Sequence, residues 1–340
     1  MYPKTKNKIE ELVNKGIMPG AAYCFIKGNQ IYQRALGLRQ IIPSKEQMTI
    51  DTLFDVASLT KVVGTNSVIL KLLEEKRINI DDGLQLYLPE FQDKYVTIRH
   101  LLTHTSGING FIPNRQQLSQ EELIQAFLSL KSNPNLRGKE INYTDTGTVL
   151  LGLMIEQLYH KPVQRVIEEE VLQPLKMTQA TFSPTGNKIA PTELDSRRGI
   201  IKGEVHDPKA FILKERCGSA GLFATLNDLM SFTFMMLYRG KMRDGEYFLK
   251  EETVTSLYQS WSNIESAPRT LGWDLRFEPE TKKPILFHTG YTGTFMLIDS
   301  DQMEAFILLS NRVHPLDNKP LYQINRDELI DSYLEEKQAL

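Results

Sequence analysis

Pro284-Ile285-Leu286-Phe287-His288, Thr294-Phe295-Met296-Leu297-Ile298-Asp299 and Ala305-Phe306-Ile307-Leu308-Leu309-Ser310 are three short apolar runs near the end of the chain, and they decide the fold class. Each is too short for a helix and rich in strand-forming residues, and the first turns back into the second through Gly293. Leu271–Phe277 adds a fourth strand ahead of them. Working outward, the pattern recurs at the other terminus, where Ala21–Ile26 and Ile31–Ala35 flank Lys27-Gly28-Asn29 as a hairpin. Between the two groups the period changes to helical. Val62, Val63, Ile69, Leu70 and Leu73 mark a long buried helix that opens at Ser58 and ends near Arg77. Further helices are expected at Ile98–Thr103, Glu121–Leu130, Thr148–Tyr159 and Leu226–Tyr238. A first helix carries Ile9, Leu12 and Val13 and stops at Gly16, and a closing helix carries Ile324, Leu329, Ile330, Tyr333 and Leu334. Strands at both ends with helices between them predict an α+β fold: one antiparallel sheet built from both termini, flanked by helices, with a helical lobe inserted. The lobes are expected to divide as residues 1–60 with 170–340, and 61–169. Ser183–Lys209, rich in Pro and Gly, is expected to be a long irregular rim or lid.

Composition narrows the function. The 340 residues include 40 Lys and Arg against 42 Asp and Glu, a net charge of −2, which excludes a generally basic nucleic-acid binder. With 41% hydrophobic and 24% charged residues the chain can bury a large core. No run approaches the roughly 18 apolar residues of a membrane span. Ile9-Glu10-Glu11-Leu12 near the start is amphipathic and unlike a secretion signal, so a cytoplasmic location is expected as given, or an extracytoplasmic one if a leader has been removed. Two cysteines, Cys24 and Cys217, make neither a disulfide framework nor a metal cluster. Cys24 is expected as a small buried apolar residue of the hairpin.

Ser58-Leu59-Thr60-Lys61 puts a hydroxyl and an amine on one face at a helix start, where free N–H groups and the helix dipole point at the hydroxyl. About one S-x-x-K is expected by chance in a chain of this length, so the motif gains weight only from its companions. Tyr143-Thr144-Asp145 precedes an apolar helix, and His288-Thr289-Gly290 ends a strand. In this order the three motifs resemble the serine β-lactamase and penicillin-binding protein superfamily, closest to its class C β-lactamase, D-Ala-D-Ala peptidase and esterase branch. Pro19-Gly20-Ala21-Ala22, Phe54-Asp55-Val56-Ala57, Ile98–Gly107, Val205-His206-Asp207, Ala220-Gly221-Leu222-Phe223 and His288–Thr294 extend the resemblance over roughly residues 18 to 310.

The resemblance implies that Ser58 is acylated, that Lys61 and Tyr143 move its proton, and that the backbone N–H groups of Ser58 and Tyr291 form the oxyanion hole, Tyr291 following the edge strand. Asp145, His288, Thr289 and Gly290 would bind substrate, a D-amino-acid peptide or a small carboxylic ester, with β-lactams among the candidates and no cofactor. Two departures bear on this. Asp145 stands where the family usually has Asn, and a carboxylate there favours charged Lys61 and hence Tyr143 as the base. His288 stands where Lys is usual, so it offers a cation only in part, chiefly below neutrality. Both weigh against strong β-lactam hydrolysis. The alternative is a penicillin-binding protein that acylates and turns over very slowly.

Other motifs have plainer readings. His100 and His104 have metal-pair spacing but no neighbouring third ligand, and read as structural, His104 capping the turn at Thr105-Ser106-Gly107. Cys217-Gly218-Ser219-Ala220-Gly221 lacks the first glycine of a nucleophile elbow, so Ser219 reads as part of a pocket wall. His206-Asp207 fits a pocket rim or a helix-capping turn equally well. Trp261 and Trp273 read as core residues.

Overall fold

Segments from the two ends of the chain meet at the centre of one seven-stranded antiparallel sheet. The computed structural model describes residues 1–264 and 267–339. β1 (Gly20–Lys27) turns through Gly28, at φ +56°, into β2 (Gln30–Gln40), and β3 (Glu46–Gln47) lies outside β2. Two small ladders stand apart from the sheet: β4 (Phe54–Asp55) with β7 (Phe223–Ala224), and β5 (Leu194–Asp195) with β6 (Gly199–Ile200). The rest of the sheet is β8 (Asp274–Phe277), β9 (Pro284–Gly290), β10 (Thr294–Asp299) and β11 (Glu304–Leu309). The order is β3-β2-β1-β11-β10-β9-β8, so the N-terminal hairpin joins the C-terminal strands through β1 and β11, with Cys24 opposite Ile307.

The alternation of side chains along β1 explains its unbroken apolar run. Ala22, Cys24 and Ile26 enter the large core, while Ala21, Tyr23 and Phe25 enter a second core on the opposite face. That second face is covered by α1 (Pro3–Asn14) and the closing helix, and its centre is aromatic. Tyr2, Phe306 and Tyr333 surround Phe25 with ring centroids 4.9, 4.6 and 6.0 Å away. Each such ring, removed from water, contributes roughly 2 kcal/mol.

The other face packs against the helical middle of the chain. It comprises α2 (Asn66–Glu74), α3 (Ile98–Leu102), α4 (Gln120–Leu128), α5 (Thr146–Tyr159), α6 (Val163–Ile167), α7 (Pro208–Leu213), α8 (Leu226–Leu237) and α9 (Glu251–Ser256). Ser119 with Glu122, and Thr225 with Asp228, form reciprocal capping boxes that start α4 and α8. The closing helix is α10 (Lys319–Ala339). Among the described residues no helix is long and apolar enough to cross a membrane.

Three expectations are corrected. The helix after Ser58 is not uniform: a π-helical turn at Lys61–Thr65 leads into α2, which ends at Glu74. The strand expected from Leu271 is paired only from Asp274, because Gly272, at φ +79°, bends the chain against the Asn66 side chain. On α10, Ile324 is 62% exposed while Tyr322, Leu329, Ile330, Tyr333 and Leu334 are buried. At about 100° per residue, Ile324 lies roughly 200° around the helix from Tyr322, off the stripe that the others share.

Candidate active site

The segment before Ser58 is held in a sharp turn by one buried carboxylate. Asp55 accepts the Ala57 N–H at 2.8 Å and the His206 N–H at 2.7 Å. Burial raises its pKa, and the two N–H donors oppose the rise. Ala57 sits at φ +48°, an uncommon conformation for a residue with a side chain, and it sets Ser58 at the mouth of the helix that follows. The turn is also tied to the end of the sheet. Thr292 donates its hydroxyl to the Asp55 carbonyl at 2.7 Å, and Thr294 donates to the Val56 carbonyl at 3.1 Å. Gly290 lies beneath that carbonyl: a Cβ there would stand 2.3 Å from Val56 O.

Lys61, 3% exposed, donates to Ser58 Oγ at 2.7 Å, to the Ser219 carbonyl at 3.1 Å and to Asp145 Oδ1 at 2.7 Å. Three acceptors use all three ammonium protons, so the amine presents no lone pair to the serine. Burial alone would lower the Lys61 pKa, but the Asp145 and Tyr143 charges outweigh it and the net shift is upward. Asp145 is the N-cap of α5, yet its side chain caps nothing. Instead its second oxygen accepts from Lys209 at 2.8 Å, and Lys209 also pairs with Asp207 at 2.9 Å. Burial raises the Asp145 pKa, and the Lys61 and Lys209 charges more than reverse this, leaving it well below the usual carboxylate range.

Tyr143 is 45% exposed and stands over this pair. Its ring lies 5.6 Å from Lys61 Nζ and 5.5 Å from the Arg269 guanidinium carbon. His104 and His288 flank it, with centroids 4.5 and 6.0 Å away. Two readings change here. His104 packs its ring against Tyr143 rather than capping the turn at Thr105. His288 offers no cation, even in part: it is 3% exposed, and burial, with Lys61 and Arg269 nearby, holds its pKa well below 6.5. Its Nδ1 lies 3.0 Å from the Thr289 carbonyl, which can only accept, so Nδ1 carries the proton. Nε2 is then a bare acceptor, buried without a partner among the described residues.

Ser58, Tyr143, Thr289, Gly290 and Tyr291 line one cavity of about 240 Å³, facing Arg312 and α10. Arg312 is engaged: it donates twice to the Tyr291 carbonyl, at 3.0 and 2.7 Å, and pairs with Asp317. From α10, Lys319, Tyr322, Gln323 and Arg326 reach the same cavity. Lys319 is exposed, 5.1 Å from the Tyr291 ring centre, and has no ion pair among the described residues. The edge-strand expectation for Tyr291 needs correction, since β8 and not β9 is outermost. The β8–β9 pairing nevertheless stops at Asp274 and Phe287, so His288–Gly290 keeps an open side next to Ser58. Neither the Ser58 nor the Tyr291 backbone N–H has a partner among the described residues.

The remaining candidates fall outside this set or join it indirectly. His100 accepts the Thr97 N–H at 3.1 Å and caps α3. Ser219 is fully buried and serves Lys61 through its carbonyl, so its hydroxyl faces no solvent. Asp207 caps α7, while the His206 ring stacks on Tyr291 at 5.6 Å, so both readings of that pair hold. Cys24 is buried in β1, Trp273 is core, and Trp261 is half-buried against the core. Sequence reasoning missed Lys209, Arg269, Arg312 and the α10 cations. Lys209 follows the noted His206-Asp207 by two residues, a signal within reach. The others come from distant segments without a motif.

The family model described as Beta-lactamase matches residues 5–328. A protein of Escherichia coli O157:H7 carrying the provisional name D-alanyl-D-alanine carboxypeptidase is 30% identical, over 90% of this chain and 81% of its own. The N-acetylmuramyl-L-alanine amidase of Bacillus subtilis strain 168 is 25% identical, over 92% and 82%. In fold, the chain is similar to the octameric penicillin-binding protein homologue of Pyrococcus abyssi, with TM-score 0.73, 21% identity, and 91% and 73% of the chains covered. It is also similar to a β-lactamase/D-alanine carboxypeptidase of Pseudomonas syringae, with TM-score 0.77, 15% identity and 97% of each chain covered.

Proposed function

The chain belongs to the β-lactamase family and is a serine hydrolase, and from that premise we propose that it cleaves a D-alanyl peptide or a related ester through an acyl-Ser58 intermediate. The observation that carries the reading is Ser58 Oγ, 2.7 Å from a fully engaged Lys61 ammonium, in a cavity that also holds Tyr143 and Lys319. Because Lys61 donates to Oγ, it lowers the cost of alkoxide character without accepting the proton. Tyr143, as phenolate between Lys61 and Arg269, takes the Ser58 proton, and Oγ attacks the scissile carbonyl carbon. The Ser58 and Tyr291 N–H groups stabilise the resulting oxyanion. Tyr143 returns the proton to the departing amine or alkoxide. Water, deprotonated by Tyr143, then attacks the acyl carbon; the bond to Oγ breaks, and Oγ takes the proton back from Tyr143, which restores Ser58.

A substrate with a terminal carboxylate suits Lys319 and Arg326, which reach this cavity from α10. That support shifts the preference toward the peptide, since neutral His288 is no longer asked for charge. The lobes divided near residues 60 and 170 would place this cleft between them. The test is intact-protein mass after mixing with a D-alanyl depsipeptide and a penicillin, together with steady-state turnover. Wild type should gain one acyl mass and turn over the depsipeptide, and Ser58→Ala should do neither. Lys319→Ala should raise KM about tenfold for the carboxylate substrate and leave its methyl ester unchanged. A wild-type burst that stalls after one equivalent would favour a slow penicillin-binding protein instead.

A further inference from the structure

Lys61, Asp145, Lys209 and Asp207 form an alternating chain of charges that begins at the serine. Each link is short: 2.7 Å from Lys61 to Asp145, 2.8 Å from Asp145 to Lys209, and 2.9 Å from Lys209 to Asp207. The Lys209 side chain is only 13% exposed, well below a solvated surface lysine. It is delivered from the first turn of α7, whose N-cap is Asp207 itself. Because Asp207 also accepts the Lys209 and Ala210 N–H groups, its carboxylate is fixed whether or not the Lys209 ammonium is present.

The chain has a consequence for Tyr143. A carboxylate at position 145 keeps Lys61 charged, but its own negative charge stands close to the phenol that must ionise. An unbalanced Asp145 would hold the phenol in its neutral form and so work against the base. Lys209 offsets that charge and, by taking Oδ2, leaves Oδ1 directed at Lys61. We propose that Lys209 is a positioning residue for the acylation step: it neutralises and orients Asp145 so that Lys61 stays on Ser58 and the carboxylate charge beside Tyr143 is balanced. The inference rests on the reading of Tyr143 as base given above.

The groups that face Tyr143 define its electrostatic surroundings. Lys61 and Arg269 lie over the ring, with Asp274 behind Arg269 at 3.6 Å. His104 and His288 flank it, both buried and held well below 6.5 by that burial and by neighbouring cations, so neither changes charge near neutrality. Arg312, Lys319 and Arg326 share its cavity. Lys209 meets Tyr143's surroundings through Asp145.

The experiment is the pH profile of kcat/KM for a neutral p-nitrophenyl ester, measured on wild type, Lys209→Met, Lys209→Gln and Lys209→Arg, each with its thermal midpoint. Loss of one positive charge several ångström away in a partly buried site should raise the acidic limb by about one pH unit. Lys209→Met and Lys209→Gln should both show this shift, with about a tenfold loss at pH 7, and Lys209→Arg should keep the wild-type limb. Folded Met and Gln variants with an unmoved limb would overturn the proposal. So would failure of both neutral variants to fold while Lys209→Arg folds, which would make the role purely structural. Failure of the underlying reading looks different: wild type itself would then neither acylate at Ser58 nor turn over esters.

Discussion

Gly290→Ala isolates how closely the turn before Ser58 must fit the sheet. The glycine does not lie in the left-handed region, so alanine meets no backbone penalty there and the effect is contact alone. The new Cβ would stand 2.1 Å from Thr294 Oγ1 and 2.3 Å from Val56 O, whereas real Cβ atoms essentially never come within 3.0 Å of another group. Thr294 can rotate, at the cost of its bond to Val56 O. The carbonyl is backbone and must retreat by at least about 0.7 Å, carrying Ala57 and Ser58 with it. A displacement near 1 Å in a reacting group costs on the order of 10²-fold in rate, roughly 3 kcal/mol. Overpacking should cost about 1–3 kcal/mol of stability, too little to unfold a domain of this size. The assay is kcat/KM on a p-nitrophenyl ester with urea unfolding in parallel. Gly83→Ala is the control, since its Cβ would make only an ordinary contact, 3.4 Å from Lys94 O. A Gly290→Ala enzyme within threefold of wild type would refute the argument. Full rescue by adding Thr294→Ala would also refute it, because that change relieves one clash and leaves the Val56 carbonyl in place.

Two further outcomes follow from the same geometry. Lys61→Ala and Tyr143→Phe should each lower the acylation rate by about 10³-fold, and the double variant should fall little further, because one proton path needs both; multiplicative losses in stopped-flow acylation would separate them. His104 and His288 stay neutral in the native state well below 6.5, whereas the unfolded chain takes up their protons as pH falls through about 6.5. The unfolded state then binds more protons, so stability present above that pH is lost below it, by up to about 2 kcal/mol per histidine between pH 6.5 and 5. Urea unfolding at pH 7, 6 and 5 checks this, and His288→Gln should show a smaller slope; an equal slope would return His288 to a solvated, titrating state.

The architecture was legible because it rests on local period. β1 and the strands from Pro284 onward are buried on both faces, and such strands announce themselves as short apolar runs between turn residues. Ser58 with Lys61 was legible for a related reason: three residues along one helical turn is a fixed distance whatever the rest of the chain does. Tyr143, Asp145 and His288 were found through their motifs, and the preference for a charged Lys61 followed from the chemistry of Asp145 alone. What the sequence left undetermined is what each motif meets across the fold. Whether His288 carries charge depends on its burial beside Lys61, Arg269 and Trp273, none of which is near it in sequence. Lys209 reaches Asp145 from 64 residues further along, and Lys319 and Arg326 reach the cavity that Ser58 lines from a helix whose apolar stripe says nothing about its opposite side. Local pattern determines which segments form helices and strands. Electrostatic environment is a sum over neighbours, and tertiary packing alone chooses the neighbours.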